Sequence, residues 1–309
     1  MYQTFSTVEL KEELERSLGF SLRSLERLDG ASALNFKAVR DSDGMTFAVK
    51  CSPPERCEMF ARLVRHLRDT RNTKAVGRIF ERECPPTFRG CNLICLSWSS
   101  GVRMFPDELT DEQFRAFLDD YKDFSAVMQR TSMIGDHDPI DAWRREAATN
   151  CRGFFGRRIK AMMDRTMPEE DVRYRSEWLK VVHGDFHHGN FLFVDGRLDG
   201  ILDLEEFCHG YPADDIVRYC VCAAEHLKWY EQARKRRILC RFAQAVKYMG
   251  YRKDEWIVAV NGLFVRKIHA KVRRRGVGLI QMVNLLFRSR FYESMRKAVY
   301  SASGPENSP

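Results

Sequence analysis

Apolar and polar positions alternate through LERLDGASALNFKAVR (25–40), around Gly30. The turn signal DSDG (41–44) follows, and MTFAVKCS (45–52) resumes the alternation. Period-two patterning on both sides of a tight turn predicts an antiparallel hairpin. Pro53 and Pro54 then stop the strand, because proline has no N–H for the ladder. In ERCEMFARLVRHLRDT the apolar residues Met59, Phe60, Leu63, Val64 and Leu67 recur at helical spacing. FRGCNLICLSW (88–98) predicts a further strand, ending in the turn Ser99-Ser100-Gly101. Residues 1–97 are therefore expected to form a small antiparallel β-sheet lobe with one main helix.

Beyond that point the pattern turns helical. LTDEQFRAFLDDYKDFSAVMQ (109–129) predicts a helix starting at the N-cap Thr110, with acidic residues in its first turn. Residues 141–165 and 170–180 also have helical spacing. FLFV and GILDL predict two short strands joined by the turn DGR, and residues 213 to about 300 return to helices. The tail SASGPENSP (300–309 region) is expected to be disordered. With no internal repeat and no linker, the fold class is α+β in two lobes, 1–97 and a larger, mainly helical 98–309.

Composition narrows the class. Apolar residues make up 44% of the 309-residue chain and charged residues 30%, ordinary values for a globular protein. No apolar run is long enough for a membrane span, and the acidic, amphipathic start MYQTFSTVELKEELERSL is unlike a signal peptide; a cytoplasmic protein is expected. The ten cysteines are scattered and lack zinc-knuckle spacing, so they are expected to be reduced, with Cys220 and Cys222 as buried thiols. The net charge is +8, yet residues 231–300 carry 18 Lys/Arg against 4 Asp/Glu. Such a segment is either a set of solvated helix faces or a surface for an anionic partner. Aromatics such as Trp229, Tyr230 and Trp256 are expected in the core.

Residues 183–206, HGDFHHGNFLFVDGRLDGILDLEE, gather the polar chemistry. Phosphoryl transfer needs a carboxylate beside the attacking hydroxyl and oxygen ligands for a divalent ion. Asp185 lies in a loop closed five residues later by Asn190, whose amide oxygen suits a hard cation. The following hairpin folds the chain back and returns Asp203, with Glu205 and Glu206 behind it. A zinc site built on His183, Asp185, His187 and His188 is the competing reading. It leaves Asn190 and Asp203 unexplained, and His137, His209 and His226 stand apart in the sequence.

HGDFHHGN…GILDLEE resembles the Brenner-type motif of the aminoglycoside phosphotransferase and choline kinase superfamily, a branch of the protein-kinase-like fold. The resemblance covers most of residues 20–225. It implies Asp185 as catalytic base, Asn190 and Asp203 as magnesium ligands, and Glu205 or Glu206 assisting through a second ion. GYPADDIVRY matches a stretch in which Asp215 would buttress the catalytic loop. Lys50, in the strand FAVK, would meet the phosphates of ATP, paired with Glu58 or alternatively Glu55. DGASALN, with Gly30 and Ser32, would form the phosphate-covering turn, and Cys95–Ser99, including Ser97 and Ser99, the adenine-binding hinge.

The resemblance thus implies a phosphotransferase using ATP and Mg2+ on a small-molecule hydroxyl. A sugar or saccharide acceptor, including one of the cell envelope, comes first, with an aminoglycoside or choline-type acceptor second and an inactive kinase-like binding protein third. No nucleic-acid partner is expected, and the basic C-terminal helices offer at most peripheral membrane contact. The oligomeric state stays open.

Overall fold

The computed structural model describes residues 6–28, 34–52, 87–129, 157–161, 164, 180–203, 207–275 and 279–302. The chain divides into two compact units, Met1–Val102 with Phe191–Glu205, and Arg103–Asn190 with Glu206–Pro309. The sequence boundary at 97 leaves out the hairpin that belongs to the first unit. The connection is a two-way backbone bridge, Val102 N–H to Phe193 O at 2.9 Å and Phe193 N–H to Val102 O at 2.8 Å. Gly101 allows this approach, since a Cβ there would lie 2.9 Å from Phe193 N.

In the first unit, α1 (Thr7–Leu18) precedes β1 (Leu22–Leu28), β2 (Leu34–Arg40), β3 (Thr46–Ser52), β4 (Thr87–Phe88) and β5 (Cys91–Ser97). A capping box between Ser6 and Glu9 starts α1, and the left-handed Gly19 ends it. The strands form an antiparallel sheet in the order β1-β2-β3-β5-β4. Alternation on β3 places Phe47, Val49 and Cys51 on the face covered by Leu10 and Leu14 of α1. Lys50 therefore points to the opposite face. β4 pairs only with Cys91 and Asn92, so Leu93–Ser97 have no strand partner on that edge of β5 among the described residues. Of the predicted 88–98 strand, the first residues form a separate arm, because Arg89 and Gly90 turn the chain with φ of 49° and 79°.

β7 (Phe191–Val194) and β8 (Arg197–Ile201) form the predicted hairpin, with Phe191 opposite Ile201. Its turn, Asp195-Gly196, has φ of 52° and 74°, the geometry that two-residue hairpin turns require.

In the second unit, α2 (Asp111–Met128) begins at Thr110 in a capping box with Gln113 and buries Phe114, Phe117, Leu118, Tyr121 and Phe124. A short ribbon pairs β6 (Lys180–Val182) with β9 (Cys208–Gly210). Four helices follow: α3 (Pro212–His226), α4 (Gln232–Met249), α5 (Lys253–Arg275) and α6 (Leu279–Ala302). α3 packs on α4 and α5, and α6 packs on both of those. Trp256 is fully buried, as expected, but Trp229 and Tyr230 are 80% and 58% exposed. They sit in the α3–α4 connection, outside the helical faces that the core covers. Cys222, too, is only half-buried, although Cys220 is buried. The predicted segments 141–165 and 170–180 fall largely outside the described residues. No helix among those described is long and apolar enough to cross a membrane.

Candidate active site

The second unit holds a loop, 183–190, gripped from beneath by one carboxylate. β6 ends at Val182, and the next two backbone amides both donate to Asp215: His183 N–H to Oδ2 at 2.8 Å and Gly184 N–H to Oδ1 at 3.1 Å. Tyr121 donates its hydroxyl to Oδ2 at 3.1 Å and to the Pro212 carbonyl at 3.0 Å. Asp215 is 1% exposed. Burial, only partly offset by His183 and the backbone amides, raises its pKa above the ordinary value. The buttress implied by the sequence is thus a buried carboxylate at the start of α3.

Above it, Asp185 is restrained at both oxygens. Arg218 of α3 lies 2.7 Å from Oδ1, and His187 Nε2 lies 3.3 Å from Oδ2. The Asp185 N–H donates to His183 Nδ1 at 3.2 Å. His187 Nδ1 accepts the Gly189 N–H at 3.0 Å, so its proton is assigned to Nε2 and directed at Asp185. Gly189 is confined by that ring, since a Cβ would come 2.7 Å from His187 Cε1. Partial burial disfavours the Asp185 anion, but His187 and Arg218 outweigh it, and the carboxyl is held well below the usual carboxylate range.

Asn190 is buried, and its amide nitrogen donates to the Asp185 carbonyl at 2.9 Å. Its Oδ1 accepts no hydrogen bond among the described residues and is an oxygen ligand of the kind magnesium takes. His188 stacks on Phe105 at 4.3 Å, with His226 at 5.2 Å from it. Its Nδ1 is buried and has no hydrogen-bond partner among the described residues, and burial, with His187, His226 and Arg103, pushes its pKa down to about 4. His226 is therefore a neighbour of the loop, although it stands apart in sequence.

The first unit carries the other candidates. Lys50, 8% exposed on β3, forms an ion pair with Asp203, which follows β8. Asp203 has φ of 56°, a left-handed conformation that a non-glycine residue seldom adopts without a constraint or a function. Ser97 pairs through its backbone with Phe47. The Ser99 hydroxyl donates to Asp199 of β8 and accepts the Gly101 N–H, so it ties the strand end to the hairpin. Gly30, Ser32, Glu55, Glu58, Glu205 and Glu206 lie outside the described residues. Among those described, no group of three His, Cys, Asp or Glu side chains is placed to hold a metal ion.

The family model for the phosphotransferase enzyme family matches residues 24–243. The chain belongs to that family. It is a phosphotransferase acting on a hydroxyl acceptor. An aminoglycoside phosphotransferase from Alicyclobacillus acidocaldarius is similar in fold, with a TM-score of 0.66, 15% identity, and 98% and 97% of the two chains covered. A spectinomycin phosphotransferase solved with ADP and spectinomycin aligns with a TM-score of 0.64, 12% identity and 97% and 99% coverage. An amicoumacin kinase solved with AMP-PNP and Ca2+ gives 0.61, 12%, and 94% and 96%. Comparison with the curated proteins finds no significant match.

Arg218 is the neighbour of Asp185 that the sequence reading missed. A signal was available: three positions after Asp215 on one helix puts both residues on the same face.

Proposed function

We propose that this phosphotransferase moves the γ-phosphoryl group of ATP to a hydroxyl of a small saccharide-like acceptor, with Asp185 as the general base. The observation that carries the reading is the Asp185 carboxylate, held by Arg218 and His187 beside an Asn190 whose Oδ1 accepts no hydrogen bond among the described residues and suits a divalent ion. Asn190 is joined by one peptide bond to the β7–β8 hairpin, and Asp203, two residues past β8, pairs with Lys50. Asn190 and Asp203 would hold magnesium, and Lys50 would meet the phosphates. Magnesium, when bound, neutralises phosphate charge. The edge of β5 from Leu93 to Ser97, which has no strand partner among the described residues, would supply backbone groups suited to adenine. The acceptor proton would pass to Asp185 as the phosphoryl group leaves ADP, with most of the rate coming from positioning.

Charge alone does not choose the acceptor. Arg234 of α4 engages Asp107 at 2.6 Å and Glu108 at 2.8 Å, and Arg241 engages Asp111. The acidic start of α2 and the basic α4 thus neutralise each other in part. The similar structures named for aminoglycoside and spectinomycin phosphotransferases favour a hydroxylated ring, and an aminoglycoside is the second reading. An ADP-release screen over sugars, amino alcohols and aminoglycosides, with Asp185→Asn as blank, tests the proposal. Turnover with one hydroxylated ring and none in the blank is expected. Equal turnover in the blank rejects Asp185 as base.

A further inference from the structure

Arg218 binds the catalytic loop at two points. Nη2 lies 2.7 Å from Asp185 Oδ1, and Nη1 donates to the Gly184 carbonyl. A planar guanidinium fixes both oxygens in one geometry, which a lysine ammonium does not. Among the described residues, the contacts of Asp185 Oδ2 are longer, His187 Nε2 at 3.3 Å and Asn190 Nδ2 at 3.4 Å. The two oxygens are therefore unequal.

We infer that Arg218 is a positioning residue: it locks Oδ1 and leaves Oδ2 as the oxygen that receives the acceptor's proton. The inference rests on the reading of Asp185 as the base. In the step, the acceptor O–H proton moves to Oδ2 while the acceptor oxygen bonds to the γ-phosphorus. The bond from that phosphorus to the β–γ bridging oxygen breaks, and ADP leaves with the electron pair. One helix thereby controls the whole loop. Asp215 takes its two backbone amides, and Arg218, one turn later, takes its carbonyl and its carboxylate. A catalytic group displaced by about 1 Å commonly loses about 100-fold in rate, which sets the scale of effect to expect.

Arg218 also lines a pocket with Val182, Gly184, Leu263 and Arg266, so its removal leaves a space that a free guanidinium ion can enter. The test compares Arg218→Ala and Arg218→Lys with the parent, using the acceptor found in the screen. Arg218→Ala is expected to lower kcat about 10- to 100-fold, with the KM for ATP unchanged within about twofold. Added guanidinium chloride at millimolar concentration should restore part of kcat to Arg218→Ala and none to Asp185→Asn. Arg218→Lys keeps the charge but not the fork, and its kcat should stay several-fold low at unchanged ATP affinity. Should Arg218→Ala not fold, the lysine variant alone decides. Parental kcat in the lysine variant, or loss of kcat together with ATP affinity and without guanidinium rescue, overturns the role of Arg218. An active Asp185→Asn enzyme would instead overturn the reading of the base.

Discussion

Replacing Asp215 with asparagine separates two opposing effects at one buried site. The carboxylate accepts from His183 N–H, Gly184 N–H and Tyr121 O–H. Burial disfavours its charge and raises its pKa, so a neutral side chain of the same shape relieves a desolvation cost. Asparagine, however, has one accepting oxygen and one donating NH2. Placed at the Oδ2 position, the oxygen keeps His183 and Tyr121, but the NH2 then faces the Gly184 N–H. Two buried donors are left unmet, at about 1–3 kcal/mol each. Allowing for the relieved charge, the net expectation is a loss of about 2–4 kcal/mol. Urea unfolding followed by fluorescence gives the total. Hydrogen exchange with mass spectrometry, resolved to the 180–186 peptide, locates it. A variant with the parental unfolding midpoint and unchanged exchange at Gly184 would refute the reasoning.

Other expectations concern separate features of the molecule. The raised pKa of Asp215 makes its contribution fully present below the ordinary carboxylate range and lost as pH rises through the raised value. The stability gap between the parent and Asp215→Asn, measured by urea unfolding, should therefore shrink as pH rises through that window and then level off. Gly189→Ala places a methyl 2.7 Å from His187 Cε1. It should lower kcat about 10-fold or more by moving His187 off Asp185, with a far-UV spectrum like the parent's. Burial pushes the Cys51 and Cys95 thiols up to about 12, whereas Cys240 is exposed. Iodoacetamide labelling with peptide mapping should modify Cys240 in the native protein and reach Cys51 and Cys95 only in denaturant.

Local rules made part of the fold legible. Thr110 and Gln113 set the start of α2, Asp195-Gly196 set the hairpin turn, and alternation along MTFAVKCS set which face Lys50 occupies. The start of the chain was recognisable as amphipathic, and the Ser6–Glu9 box with Gly19 explains why it becomes α1. What escaped depends on contacts between distant residues. Ser99 meets Asp199 across 100 positions, and Val102 joins Phe193; neither leaves a periodic trace. Trp229 and Tyr230 have core-type side chains but stand in a connection that no helix face covers. His226 is eleven residues along α3 from the buttressing carboxylate, and only the packing of the chain brings its ring against those of His188 and Phe105. The 183–190 loop was legible as a motif, because its residues are contiguous in the sequence. Its hold by Arg218 required the helix face to be set against the loop.

The proposed function has Asn190 and Asp203 serving one metal–nucleotide site. A double-mutant cycle on Mn2+ affinity, read by electron paramagnetic resonance in the presence of AMP-PNP, tests it with Asn190→Ala, Asp203→Asn and the pair. Ligands of one ion should each weaken binding, and the double variant should fall short of the sum by about 1 kcal/mol or more. Strict additivity, or parental affinity in either single variant, would contradict the account.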